Sequence, residues 1–403
     1  MMKRILCILA LFMLASPLWA AKKLTVQQLN DLLVSFQNGK KTDVEAATEL
    51  KQVELTEELT RAAMNKIVTL APGKFSIEQI YVLEARSATL PPPPSDLPAS
   101  PAPDAAAQKA ILDKAAAYTT KIYAQLPSMS ATKITLRFQD NMKAIDACSG
   151  LVGCAGGAVD ASKFAHQASF IHYINSVETP VVSEHGIEKL PSKIDKTPWG
   201  ANGMIAFEEP DPSLSVILPE AQAAGSLQWL RWELVNGRQT AVYSFKLPIA
   251  NFPFTVSACC FPKSTDTGRA NFYNSLDASI IAGSDAVGGG GGGAVGNFQT
   301  ITNYDQHFKA KVPVHGEIFI DPATGIVLRF ITQAEFKTTD NVQQLDTRID
   351  FGPVKVGASV LLLPVRSVVN TLVIPNGDSG TATFTTRRTL FTSEYKNYQL
   401  AAQ

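Results

Sequence analysis

The apolar positions of this chain change period along its length. LTVQQLNDLLVSF, residues 24–36, sets Leu29, Leu32, Leu33 and Phe36 at helical spacing behind Thr25 and Gln28, the two halves of a capping box. Gly39 is placed to end that helix, Asp43 to cap the next and Thr56 to begin a third. Ser76 with Gln79 forms another capping box, with Phe75 and Ile80 as its staple. The pattern predicts a small helical module over residues 21–90. A Pro-rich run, PPPPSDLPASPAP, opens the stretch 91–104. Such runs favour an extended polyproline conformation and read as a spacer in preference to a ligand for a proline-binding partner. Residues 105–126 then form a strong helix with Ile111, Ala115, Tyr118 and Ile122 on one stripe.

Beyond that helix the period becomes two. ATKITLRF (131–138) and ASFIHYINSV (168–177) read as strands. The sharpest signal is LQWLRWELVNGRQTAVYSFKL, residues 227–247, in which Asn236-Gly237 is the favoured pair for a two-residue type I′ turn. That turn sets Val235 opposite Arg238, Leu234 opposite Gln239, Glu233 opposite Thr240, Trp232 opposite Ala241 and Arg231 opposite Val242. Continued without interruption, the register pairs Leu230 with Tyr243 and Gln228 with Phe245. One face then carries Leu230, Trp232, Leu234, Tyr243 and Phe245, while the other is mixed, charged and wetter.

A second hairpin spans residues 316–336 and turns at Asp321-Pro322-Ala323-Thr324-Gly325. Residues 356–375 and 381–398 supply further strands. Hairpins rather than helices join these strands, so the sheet is mainly antiparallel and the fold class is α+β. The long stretch 262–300 contains six consecutive glycines, 288–293, and no Lys-Ser/Thr follows them. It reads as a flexible excursion and not a phosphate loop.

Lys plus Arg and Asp plus Glu number 36 each, a balance that gives no electrostatic case for nucleic acid or an anionic membrane surface. The N-terminus does change the picture. Lys3 and Arg4 precede ILCILALFMLASPLWA, an export leader with a plausible cleavage point after Ala20. The expected signal peptide is 1–20, the expected compartment periplasmic or extracellular, and no later segment is apolar enough to span a bilayer. Removing the leader removes Cys7 and leaves Cys148, Cys154, Cys259 and Cys260. Four cysteines allow three disulfide pairings. Cys148 and Cys154 flank a short loop that a local bond could close. A bond between the adjacent Cys259 and Cys260 is strained, and cross-pairing is open. Neither pair has zinc-ligand spacing.

Candidate chemistry is sparse. Gly377-Asp378-Ser379-Gly380 imitates the nucleophile motif of chymotrypsin-like proteases. None of the five histidines (His166, His172, His185, His307 and His315) is followed by Cys, and strand-like segments flank the motif. A turn is the better reading. His185 and Glu188 form a weak H-x-x-E, and the carboxylate pairs 57–58 and 208–209 are adjacent, so their side chains diverge. No cofactor motif is present.

Four stretches carry a family resemblance. The helix 105–126 feeds directly into KITLRF; a W-x-x-W hairpin with NGRQTAVYSF follows; then come HGEIFIDPATGIVLRF and FGPVKVGASVLLLPVRSVV. Over residues 105–400 the chain resembles periplasmic lipoprotein-localisation-type (Lol-like) carriers and their lipid-binding relatives, and as a whole it looks like an exported bacterial protein carrying such a domain. The resemblance implies a half-barrel over 105–403: a strongly curved, unclosed antiparallel sheet with a long helix on its concave face. It also implies a non-catalytic protein that binds a hydrophobic ligand, an acyl chain or lipid, or an envelope partner such as a lipoprotein. Leu230, Trp232, Leu234, Tyr243 and Phe245 would then wall a cavity for an acyl chain. The alternatives are a secreted hydrolase and a scaffold or adhesion module.

Overall fold

The computed structural model describes residues 21–139, 171–189, 206–208, 214–261, 306–338, 340, 342–373 and 387–401. The chain divides into two compact units, and the boundary between Pro93 and Pro94 falls inside the Pro-rich run.

The first unit is helical, with one small sheet. Strands β1 (Lys22–Leu24) and β2 (Val53–Leu55) pair in parallel. Helices α1 (Val26–Asn38), α2 (Asp43–Leu50), α3 (Arg61–Ile67) and α4 (Lys74–Arg86) surround a core that includes Leu29, Leu33, Phe36, Leu50, Met64 and Ile80. The expected capping box of α1 is present: Gln28 N–H donates to Thr25 Oγ1 at 3.2 Å and Thr25 N–H to Gln28 Oε1 at 2.9 Å.

Three other expected caps differ. Thr42, not Asp43, caps α2 and pairs with Glu45. Asp43 instead reaches across to the first turn of α4, where it accepts bonds from the N–H groups of Phe75 (3.0 Å) and Ser76 (2.8 Å) and from Ser76 Oγ (2.7 Å). Thr60, not Thr56, caps α3, because Thr56 N–H donates to the Leu24 carbonyl at 2.9 Å and prolongs the small sheet. Ser76 is already inside α4, whose cap is Gly73, and Phe75 is exposed.

The second unit is built on a ten-stranded sheet. Its strands are β3 (Met129–Gln139), β4 (His172–Glu184), β5 (Ile187–Lys189), β7 (Gln228–Val235), β8 (Arg238–Leu247), β11 (Val314–Ile320), β12 (Val327–Ala334), β13 (Val342–Val356), β14 (Ser359–Val373) and β15 (Arg387–Leu400). They run in the order β5-β4-β3-β15-β14-β13-β12-β11-β8-β7. Every ladder is antiparallel, and the two end strands do not pair with each other, so the sheet is not closed into a barrel. A smaller antiparallel sheet joins β6 (Ala206–Glu208), β9 (Phe254–Phe261) and β10 (Gln306–Val312).

Helix α5 (Ala105–Lys121) lays Ile111, Ala115 and Tyr118 onto one face of the large sheet, against a core containing Tyr243, Phe245, Ile318 and Phe330. Helix α6 (Leu214–Ala223) adds Ile217, Leu218 and Ala221. Ile122, expected on the stripe, is exposed, because the helix ends at Lys121 and a 3-10 turn, Tyr123–Gln125, follows. The β11–β12 hairpin fastens α5 to the sheet. Asp321 Oδ1 accepts from the N–H groups of Ala323 (2.9 Å) and Thr324 (3.2 Å), and Gly325 follows at φ 77°. A Cβ at Gly325 would lie 2.4 Å from the Lys114 carbonyl carbon, so the close approach of turn to helix requires glycine there. Lys114 Nζ completes the clasp on the carbonyls of Pro322 (3.1 Å) and Ala323 (3.2 Å).

The β7–β8 register follows the Asn236-Gly237 turn from Val235↔Arg238 through Arg231↔Val242. It then slips. Tyr243 stands opposite Trp229, and Gln228 opposite Ser244 instead of Phe245. Leu230 is the extra residue of a β-bulge and is 43% exposed.

Candidate functional site

The two faces of the large sheet have different chemistry. On the helix-covered face Tyr243 and Phe245 are buried, with Phe245 stacked on Phe330 at 5.7 Å. Trp232 and Leu234 are half-buried. Of the five expected cavity-wall residues, Tyr243 and Phe245 are therefore core, Trp232 packs against it, Leu234 is half-buried and Leu230 is exposed at the bulge.

The opposite face was expected to be wetter, and its charges are instead substantially buried. Register aligns Phe319, Arg329, Asp350 and Arg366 across β11, β12, β13 and β14. Asp350 receives Arg329 Nε at 2.8 Å, Arg348 Nε at 3.1 Å and Arg366 NH1 at 3.5 Å. Arg329 also reaches Glu233 at 3.4 Å. Arg231 bonds Glu317 through both terminal nitrogens, at 3.1 and 2.7 Å, and Glu233 at 2.7 Å. The guanidiniums of Arg329 (5.2 Å) and Arg231 (5.8 Å) both lie over the Phe319 ring, a cation–π arrangement. Burial alone raises the pKa of the Asp350 carboxyl. The guanidiniums of Arg348, Arg329 and Arg366 overcome that effect and hold it well below the usual carboxylate range. A small apolar cluster of Val235, Val242, Phe319, Leu328 and Ile331 sits among these charges.

The helix-covered face ends in a crevice under a hairpin arm. Among the described residues, β13 and β14 pair only with each other between Phe351 and Pro364. A bulge between Asp350 and Phe351 marks where the arm leaves the sheet. The arm folds over the core, with Phe351, Val356 and Leu363 buried and Phe351 edge-on to Tyr123 at 5.9 Å. Between it and β15, β3 and β4 lies a crevice of about 40 Å³. Its apolar walls are Met129, Ala131, Val181, Ile349, Leu363 and Pro364.

Tyr395, Tyr398, Ser183 and Glu188 supply the polar part. Tyr398 hydroxyl donates to the Pro364 carbonyl at 2.7 Å and latches the arm. Glu188 accepts from Lys133 Nζ at 3.3 Å and from Tyr395 hydroxyl at 3.0 Å, and Lys133 lies 5.4 Å from the Tyr395 ring centre. The His185-Gly186 turn closes the end, with the Gly186 carbonyl held by Tyr123 hydroxyl at 2.9 Å.

Other expected positions do not converge on a site. Cys148 and Cys154 lie outside the described residues, as do His166, Ser379 and the glycine tract. Cys259 and Cys260 are consecutive positions of β9. Residues Val373 and Arg387, which bound the Ser379 segment, stand opposite each other in an antiparallel ladder. His315 Nδ1 is 3.1 Å from Glu335 on the sheet, and His185 is a turn residue. Among the described residues no group of three or more His, Cys, Asp or Glu is close enough to hold a metal ion, and no helix is long and apolar enough to cross a membrane.

Sequence reasoning missed the crevice residues because they come from six strands and a turn. The H-x-x-E at 185–188 was a real signal with a different meaning: it forms a tight turn that delivers Glu188 to Lys133.

No protein-family model matches the chain, and no curated protein matches it. Among solved structures it is similar to a chain from the complex structure of Pseudomonas aeruginosa MucA/MucB, at 10% identity, over 74% of this chain and 100% of that one, with a TM-score of 0.18. A likeness at that level carries no argument about fold or function.

Proposed function

We propose that the chain is an exported, non-catalytic binding protein, and that it takes an apolar group of a lipid or lipoprotein beneath the β13–β14 arm. The observation that carries this reading is the crevice itself. It combines apolar walls, two tyrosines and the Lys133–Glu188 pair at a place where the covering arm is held partly by one hydroxyl bond. At about 40 Å³ it has room for water but falls far below the ~300 Å³ at which ligand pockets begin. Binding therefore requires the arm to lift, with the bulge at Asp350/Phe351 as its hinge. The leader-like N-terminus supports export.

The test is uptake of a fluorescent fatty acid by the delipidated full-length protein. Saturable uptake is expected, strengthened in Tyr398→Phe, which releases the latch, and suppressed in Ser183→Trp, which fills the crevice. No uptake by either the wild type or Tyr398→Phe contradicts the proposal.

A further inference from the structure

The Pro-rich run is docked, not free, where it meets the sheet. After the 3-10 turn Pro94–Asp96, residues 98–104 belong to no helix or strand. The Pro101 carbonyl nevertheless accepts a 2.7 Å hydrogen bond from the Trp232 indole N–H. Two residues on, the Pro103 carbonyl accepts from Gln108 Nε2 at 2.8 Å. Trp232 does not act alone: Trp229 meets it edge-on at 4.9 Å and meets Tyr243 in the same way at 5.6 Å. Tyr243 hydroxyl in turn donates to the Gln108 carbonyl at 3.4 Å.

The bulge makes this shelf. Residues three apart on a regular strand face opposite sides of a sheet. With Leu230 as the extra residue, Trp229 pairs with Tyr243 and Trp232 with Ala241. Tyr243 and Ala241 are two apart on β8, so both tryptophans stand on one face. The bulge sits on β7, an end strand of the sheet. The seated stretch reads Pro98-Ala99-Ser100-Pro101, a P-x-x-P motif. Aromatic shelves recognise such segments because a proline chain is stiff before it binds, so little entropy is lost, and its unbonded carbonyls suit an indole donor.

We propose that the Trp229–Trp232 shelf is a polyproline-reading site, filled in cis by residues 98–103, whose trans ligand is a proline-rich extended segment of a partner protein. The cis segment is the template for that ligand. Seated there, its Ser100 and Pro101 are still exposed. It competes chiefly because its tether keeps it at an effective concentration on the order of millimolar.

The test uses the full-length chain and a labelled peptide, PPSDLPASPAPD, identical to residues 93–104, with binding read by fluorescence anisotropy. In Pro98→Gly/Pro101→Gly the cis competitor is weakened, and saturable peptide binding is expected at least about 10-fold tighter than in the wild type. Adding Trp232→Phe to that variant keeps a ring but removes the donor, and should weaken binding about fivefold, the worth of one neutral hydrogen bond. The melting temperature of the Trp232→Phe protein checks that its fold survives. Three results each overturn the proposal: no binding to the loosened variant, equal binding with Trp232→Phe, or equal binding of a peptide with every proline replaced by alanine.

Discussion

The two faces of the ten-stranded sheet are buried by different physics. On the helix-covered face, Tyr243, Phe245, Ile318 and Phe330 are excluded from water by α5 and α6. Each contributes through the area it hides, about 1.5–3 kcal/mol for a large apolar side chain, with no demand for a particular partner. On the other face, Glu233, Arg329, Arg348 and Arg366 are also buried, and their burial is unfavourable unless every charge finds its counterpart. Strand register supplies that match, since Asp350 stands directly opposite both Arg329 and Arg366. One face therefore supplies non-directional stabilisation, and the other makes a slipped register expensive. The proposed ligand site lies in neither packed face but beneath the arm, where the helix-covered face ends in the crevice.

Substitutions separate these roles. The largest effect is expected from Gly316→Val. A Cβ there would lie 1.9 Å from the Ile331 carbonyl oxygen and 3.0 Å from the Phe245 ring, and no soluble folded protein should be recovered.

Next come Asp350→Ala and Phe330→Ala. The first strips three guanidiniums of their shared carboxylate, at a cost of about 3–5 kcal/mol. The second opens a core cavity, also at about 3–5 kcal/mol. Their pH dependence tells them apart. The folded pKa of Asp350 lies below its ordinary value of 3.8, so its contribution is complete above that value and is lost as pH falls towards the folded pKa. In denaturant titrations the gap between wild type and Asp350→Ala should narrow below pH 3.8, while the gap for Phe330→Ala should not change for this reason.

The helix-covered face has its own titration at the alkaline end. Burial pushes the hydroxyls of Tyr118 and Tyr243 up to about 12 from 10.0. Their folded pKa values are raised, so the associated stability is present below pH 10.0 and lost as pH rises towards 12. Tyrosine absorbance should show these two groups ionising after the exposed ones. The smallest effect is expected for Arg231→Lys at the rim of the charged face. It replaces the two-pronged contact with Glu317 by a point charge, at about 1 kcal/mol in chemical denaturation.

Much of this architecture was legible where a turn dictates it. Asn236-Gly237 set five residue pairs correctly, and the Asp321 turn behaves as its sequence suggests. The register failed at Leu230 because nothing in an alternating pattern announces an inserted residue. The first half of β13, QQLDTRID, does not read as a strand. Its Asp and Arg residues look like solvent-facing positions; Asp350 pairs with Arg329 and Arg366 of the neighbouring strands, and Arg348 is buried against Asp350 itself. Helix α6 was hidden by its internal Pro219. Asp43 looks like a local cap in the sequence, but its real partners, Phe75 and Ser76, are more than thirty residues away. In the crevice, Lys133 and Glu188 are 55 residues apart, and no local pattern joins them.

Entry of a ligand beneath the arm, as proposed, can be read from amide hydrogen exchange. With a fatty acid bound, the amides of residues 351–364 should exchange more slowly than in the delipidated protein, while those of β11 and β12 keep their rates. Unchanged exchange in the arm despite measured binding, or protection confined to another part of the molecule, would rule out entry beneath the arm.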